Sequence, residues 1–197
     1  MLRSIRRKLL KMRSMIKTTK TLQSHFLSEK GRKDIEQYLF GSLVAIKSDI
    51  GVVEKEMADI VDRDDGLRGL SDLITSVPHI GKFIAIELII LTNEFHDTWS
   101  AKNFCSYCGI APFAKTSGTS VNRKPKISPI GNKGMKKMLH LAALGSARPG
   151  KSSFKAYYAR KVREGKNKMS VLNAVRNKLV RVIFACVRDR KPYDERV

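Results

Sequence analysis

At 197 residues the chain has room for one ordinary domain and an extension, and its 39 Lys and Arg against 18 Asp and Glu give a formal net charge of +21. Such an excess calls for a polyanionic partner, DNA or RNA ahead of an anionic membrane. Three cysteines exclude a disulfide framework, no apolar h-region follows the basic N-terminus, and the longest apolar run, Phe83 to Leu91, is broken by Glu87 and falls far short of the roughly 20 residues of a membrane span. A soluble cytoplasmic protein with no membrane contact is therefore expected.

The charge is unevenly placed. From Thr98 to Arg163 there are fourteen Lys or Arg and no acid, while thirteen of the eighteen acids lie between Asp34 and Asp97. In chain order, apolar residues first recur at Leu2, Ile5, Leu9, Met12 and Ile16, which predicts one helical face, with eight basic residues on the others. Gly31 is the expected C-cap of that helix, inside a short turn at Ser28 to Lys33. A second run, Ile35, Leu39, Leu43, Ile46, Ile50, Val53, Met57 and Ile60, keeps spacings of three and four and reads as a coiled-coil seam. The two helices are predicted to form an antiparallel coiled-coil arm over residues 1–64. The seam is also a candidate for homo-oligomerisation, with ordinary packing inside one chain as its alternative.

A new unit, residues 65–190, begins after Asp62-Arg63-Asp64-Asp65-Gly66. Leu67 to Val77 and Lys82 to Leu91 are predicted helices joined by Pro78-His79-Ile80-Gly81. Helix, Pro-x-Ile-Gly turn, helix over about residues 67–91 is the layout of a helix-hairpin-helix, whose turn offers backbone amides to a phosphate. Pro78, Gly81 and Lys82 are its candidate DNA-binding residues, and a plain helical hairpin is the alternative. Phe95, Trp99, Phe104 and Tyr107 read as core aromatics rather than base-stacking residues. His79 and His96 stand isolated. Cys105 and Cys108 form a CxxC with no second ligand pair in sequence, so core packing is expected and no metal site is predicted.

The stretch from Gly109 to Lys137 carries four glycines, three prolines, seven basic residues and no acid. Gly and Pro shape a loop or short β-hairpin over residues 109–134, and basic side chains with free amides suit a phosphodiester. Composition alone favours a DNA-binding loop here over a nucleophile. Asn132, Lys133, Lys136 and Lys137 extend the basic surface into a predicted helix rich in strong helix formers, ended by Pro149 and Gly150. Ser153 to Arg163 and Met169 to Arg188 are further helices, the last with Val171, Val175, Leu179, Val182 and Cys186 on its apolar face. Residues 191–197 read as a frayed polar tail. The predicted fold class is thus mainly α, with a coiled-coil arm before a helical domain.

Gly145-Ser146-Ala147-Arg148-Pro149-Gly150-Lys151-Ser152 fits the phosphate loop GxxxxGK[ST] letter for letter. That loop needs a β-strand before it and a parallel sheet around it. Lys136 to Leu144 has no β-branched residue and reads as helix, so an interhelical turn is the better reading.

The order and spacing of VPHIGKFIAIEL, NEFHDTWSAKNFCSYCGIAP, TSGTS, KISPIGNKGMKKMLHLAAL, YYARKVREGK and KPYD resemble the insertion-sequence transposases of the 110/116/902 family, the bridge-RNA-guided serine recombinases. The resemblance covers about Leu70 to Asp194, the C-terminal transposase half. It implies a serine-dependent strand exchange on DNA, with Ser117, beside Gly118, as the nucleophile. Lys115, Arg123, Lys124 and Lys126 would then neutralise the charge of the pentavalent phosphorus. No general base stands out; His140 is a candidate that also reads as a helix-face residue. DNA and a guide (bridge) RNA are the implied partners, with sequence choice lying in the RNA. Full-length members carry a RuvC-like half with four magnesium-holding acids, and this chain departs from them there. Mg2+ is expected only in that half, no cofactor in this chain, and Met1 reads as an internal start of a truncated or split product. The implied function is a DNA transposase half that is inactive alone, and the alternative is a non-catalytic nucleic-acid-binding remnant or regulator.

Overall fold

The structure, a computed structural model, describes the backbone of residues 1–24, 27–117, 121–148 and 152–194, and their side chains except at 20, 22–24, 114–117 and 121–124. The described residues are mainly helical, eight helices and one two-stranded hairpin, in two compact units, Met1–Arg63 and Asp64–Val197.

In the first unit, α1 (Leu2–Ser24) packs against α2 (Glu29–Arg63). Arg6, near the start of α1, donates to Glu54, near the end of α2, at 2.7 Å, so the helices run antiparallel. Ile46, Ile50 and Met57 are buried as the spacing predicts, but Ile60 is 44% exposed and Val61 is buried in its place. A strict 3.5-residue repeat drifts by about 20° per heptad on a 3.6-residue helix, which carries the inward position one residue on by the last turn. Met12, expected on the inner face of α1, is half exposed. Gly31 does not end a helix. It lies in the first turn of α2, where Ser28 Oγ accepts its N–H at 3.3 Å and the Ser28 carbonyl accepts from Arg32. The serine cap outweighs the glycine stop, because it satisfies an amide that a new helix would otherwise leave open.

The second unit is assembled around its last helix. In order it comprises α3 (Asp65–Thr75), α4 (Lys82–Thr92), α5 (Ala101–Tyr107), β1 (Pro112–Ser117), β2 (Val121–Ile127), α6 (Lys133–Ser146), α7 (Ser153–Arg163) and α8 (Lys168–Asp189). Helices α3, α5, α6 and α7 all pack on α8, whose Val175, Leu179, Val180 and Ile183 are fully buried. Asp64 and Ser100 cap α3 and α5 by accepting amides of the first turn. Helix α4 is apolar nearly all round and is buried along most of its length, Glu87 included. Between α4 and α5 the chain makes a left-handed turn through Asn93, Glu94 and Phe95, at φ 50, 59 and 60. Buried Thr92 holds it, donating to the Leu88 carbonyl and accepting from the Phe95 amide at 3.0 Å. Phe95 thereby meets Phe184 edge-on at 4.9 Å, and Trp99 and Phe104 complete the aromatic cluster.

Two aromatic expectations change. Tyr107 is not buried with its neighbours: its ring edge packs on Trp99 while its hydroxyl accepts from Asn132 at 3.0 Å. The tail is not frayed at Tyr193, whose amide donates to Ser76 Oγ at 2.8 Å and whose ring stacks on Phe154. Gly145 and Ser146 of the phosphate-loop match lie inside α6, with Ser146 buried and its hydroxyl donating to the Ala142 carbonyl. Pro149, Gly150 and Lys151 lie outside the described residues.

Candidate nucleic-acid interface

The hairpin is held at its root by two glycines. Gly109 has φ +65 and Gly131 φ +158, and a Cβ on Gly131 would stand 2.7 Å from the Gly109 nitrogen. That close approach brings the two ends of the hairpin together, and the Asn132 amide donates to the Tyr107 carbonyl at 2.9 Å beside it. From the root, β1 and β2 pair antiparallel, Pro112 opposite Ile127 and Phe113 opposite Lys126, then Lys115 opposite Arg123 and Ser117 opposite Val121. The register slips between the second and third pairs, so β2 carries an extra residue there. A bulge accommodates Pro125, which has no amide to give a ladder.

Ser117 is the last residue of β1, next to the tip, and Gly118 lies outside the described residues. Lys115, Arg123 and Lys124 have backbone positions on the two strands, and Lys126 is exposed on β2. Past the root, Asn132 caps α6: its Oδ1 accepts from Met135 and its Nδ2 donates to Tyr107. Its side chain is thus engaged in holding the root. Lys133, Lys136 and Lys137 occupy the first two turns of α6, with 133 and 137 exposed. The turn before α4 places Gly81 at the N-cap with no side-chain cap, followed by exposed Lys82. Pro78 is half-buried, and His79, at φ 64, turns its ring against Gly145 of α6. Hairpin and α6 are contiguous in the chain, and α4 also packs on α6.

Beneath the root lies a polar cluster that the sequence reading missed. Asn173 and Asn177, one turn apart on α8, both donate through Nδ2 to the Ile110 carbonyl, at 2.9 and 3.0 Å. Arg176 between them is only 5% exposed, and its Nε has no hydrogen-bond partner. His140 Nδ1 and Asn173 Oδ1 are buried and unpartnered as well. Burial, then the neighbouring Arg176 charge, holds the His140 imidazole below its usual range, and burial alone lowers the Arg176 guanidinium. The available signal was a polar stripe, Asn173, Arg176 and Asn177, inside an apolar helix face.

Cys105 and Cys108 are buried, which pushes their thiols up to about 11 and about 12 and leaves them weak nucleophiles. Among the described residues no three His, Cys, Asp or Glu are grouped to hold a metal, and no helix is long and apolar enough to cross a membrane. A groove of about 1150 Å³ opens among α3, the α4–α5 turn and α8, lined by Leu70, Trp99, Arg181 and Phe184. Among the described residues, none of the candidate DNA-binding ones lines it.

Known proteins resemble the chain over nearly all its length. It is 22% identical over 193 residues, 95% of the chain, to the "Pilin gene-inverting protein" of Moraxella lacunata and equally to that of Moraxella bovis. It is 27% identical over 161 residues, 81% of the chain, to the "Insertion element IS110 uncharacterized 43.6 kDa protein" of Streptomyces coelicolor. The chain spans 60% of the length of the pilin gene-inverting proteins and 38% of that of the insertion-element protein. Residues 71–159, which hold α4, α5, the hairpin, α6 and part of α7, match the Transposase IS116/IS110/IS902 family.

Proposed function

We propose that the chain binds DNA through the hairpin and the start of α6 and supplies Ser117 as the nucleophile of a strand transesterification in transposition or inversion. The observation that carries this reading is the family match over residues 71–159, coincident with an acid-free stretch that folds into a hairpin ending its first strand at Ser117. The names of the relatives, a gene inverter and an insertion element, agree with DNA recombination.

In the proposed reaction Ser117 Oγ loses its proton and bonds to a backbone phosphorus, the phosphorus–O3′ bond breaks, and the 3′ oxygen leaves as a hydroxyl. A 3′ hydroxyl then attacks the phosphoserine and releases the serine. The bond energy is kept, so no ATP is consumed. Lys115, Arg123, Lys124 and Lys126 are assigned to the phosphate charge, and Pro78, Gly81, Lys82, Gly118, Asn132, Lys133, Lys136 and Lys137 to the DNA backbone. Magnesium is assigned to the acids of a RuvC-like half rather than to residues of this chain. A guide RNA and self-association through α1 and α2 complete the reading.

The test is a strand-transfer assay with a RuvC-like half supplied separately, comparing the unaltered chain with Ser117→Ala. A covalent protein–DNA adduct that depends on Ser117 is expected. Equal transfer by both proteins would reject the serine. Salt-sensitive binding with no adduct under any condition would instead make the chain a non-catalytic DNA- or RNA-binding regulator.

A further inference from the structure

We infer that Arg176, with His140 beside it, receives one phosphate group of a nucleic-acid backbone at the root of the hairpin; the inference rests on the DNA-binding reading and locates a contact that reading does not include. A buried guanidinium is costly unless something pairs with it, since it has given up its water and relaxation restores only part of the loss. Among the described residues its Nε finds no hydrogen-bond partner. Helix α6 contains no acid, α8 has none from Lys168 to Arg188, and from Thr98 to Arg163 the chain has none at all. Burial holds the Arg176 guanidinium below its ordinary range.

The site has a way in and a second donor. His140, which the Arg176 charge reaches, and Asn173 and Asn177 on either side of Arg176 along α8 are half-buried. Lys133, Lys136, Lys137 and His140 recur at helical spacing along one side of α6, which leads a cationic stripe from the interface to the cluster. His140 Nδ1, when it carries the ring proton, adds an N–H to the guanidinium fork, and a planar fork suits phosphate oxygens. Asn173 Oδ1, also without a partner, can accept from a water that accompanies the phosphate. The Asn173 and Asn177 amides that grip Ile110 tie this pocket to the first residues before β1, so a bound phosphate would also register the hairpin on the strand.

An arginine kept for packing and one kept for a ligand behave oppositely when its charge is removed. Arg176→Met in the full chain should unfold at a higher temperature without DNA, because a buried charge with an unsatisfied Nε–H is gone, yet bind a DNA duplex roughly tenfold more weakly. It should also lose about one phosphate's share of the salt dependence. Binding and salt slope equal to those of the unaltered chain would overturn the inference and leave the DNA-binding reading intact. If the variant does not fold, the unaltered protein decides: the nitrogen-15 resonance of Arg176 Nε–H should shift on adding the duplex, and no shift overturns the inference. If the unaltered protein binds no DNA, that reading itself has failed. Inorganic phosphate then supports an anion site of another origin by shifting the same resonance, or overturns it by leaving the resonance in place.

Discussion

Gly131 shows how one residue governs the hairpin. Its missing side chain lets backbone meet backbone at Gly109, and no other residue type fits a 2.7 Å gap to a nitrogen. Gly131→Ala should cost about 2 kcal/mol or more, read as a lower denaturant midpoint with an unchanged m-value. An unaltered midpoint would mean that the root is loose. His140 makes a residue-scale prediction of another kind. Its folded-state pKa is depressed below 6.5, so as pH falls through that value the unfolded chain takes up a proton that the folded chain refuses. The unfolded state binds more protons in that window, and stability falls with pH. His140→Gln removes this contribution, so its stability should decline less steeply than that of the unaltered protein from about pH 7 to about 5. Parallel curves would show the ring to be solvated. Neither residue's role was legible in sequence: Gly131 reads as one glycine among several, and His140 as a position on a helix face.

At the scale of elements, helix existence followed from local spacing and helix ends followed from competition between caps. Helix α7 has the predicted bounds, and α8 extends one residue beyond them at each end, because their apolar periodicity is strong and Ser152 and Asn167 cap them. Gly31 was misread because a serine three residues earlier opens a helix there. The left-handed turn after α4 was signalled only at Asn93, a residue type that ends helices in this conformation, and not at Glu94 or Phe95. It exists because Thr92 is buried in position to hold it. Thr92→Val, close in shape but lacking the hydroxyl, should lose about 1–3 kcal/mol and weaken the Phe95–Phe184 contact. A thermal midpoint within a degree of the parent, with near-ultraviolet circular dichroism unchanged, would contradict that account.

For the whole molecule, the division into Met1–Arg63 and Asp64–Val197 has a thermodynamic consequence. The second unit holds a continuous core from Ile74 to Cys186, with Tyr193 closing it against Ser76. A fragment of residues 64–194 should unfold cooperatively by itself, whereas one of residues 64–190, without Tyr193, should melt lower by several degrees. Equal midpoints would deny the tail its role. The basic balance, the mainly helical class and the candidate DNA-facing segment were present in the sequence alone, because charge and periodicity are properties of neighbours along the chain. The capture of Ile110 by Asn173 and Asn177, the burial of Arg176 beside His140, and the clasp of Gly109 by Gly131 were decided by tertiary structure. Each joins residues more than twenty positions apart, and only packing can strip the water from a charge or bring two backbones into contact.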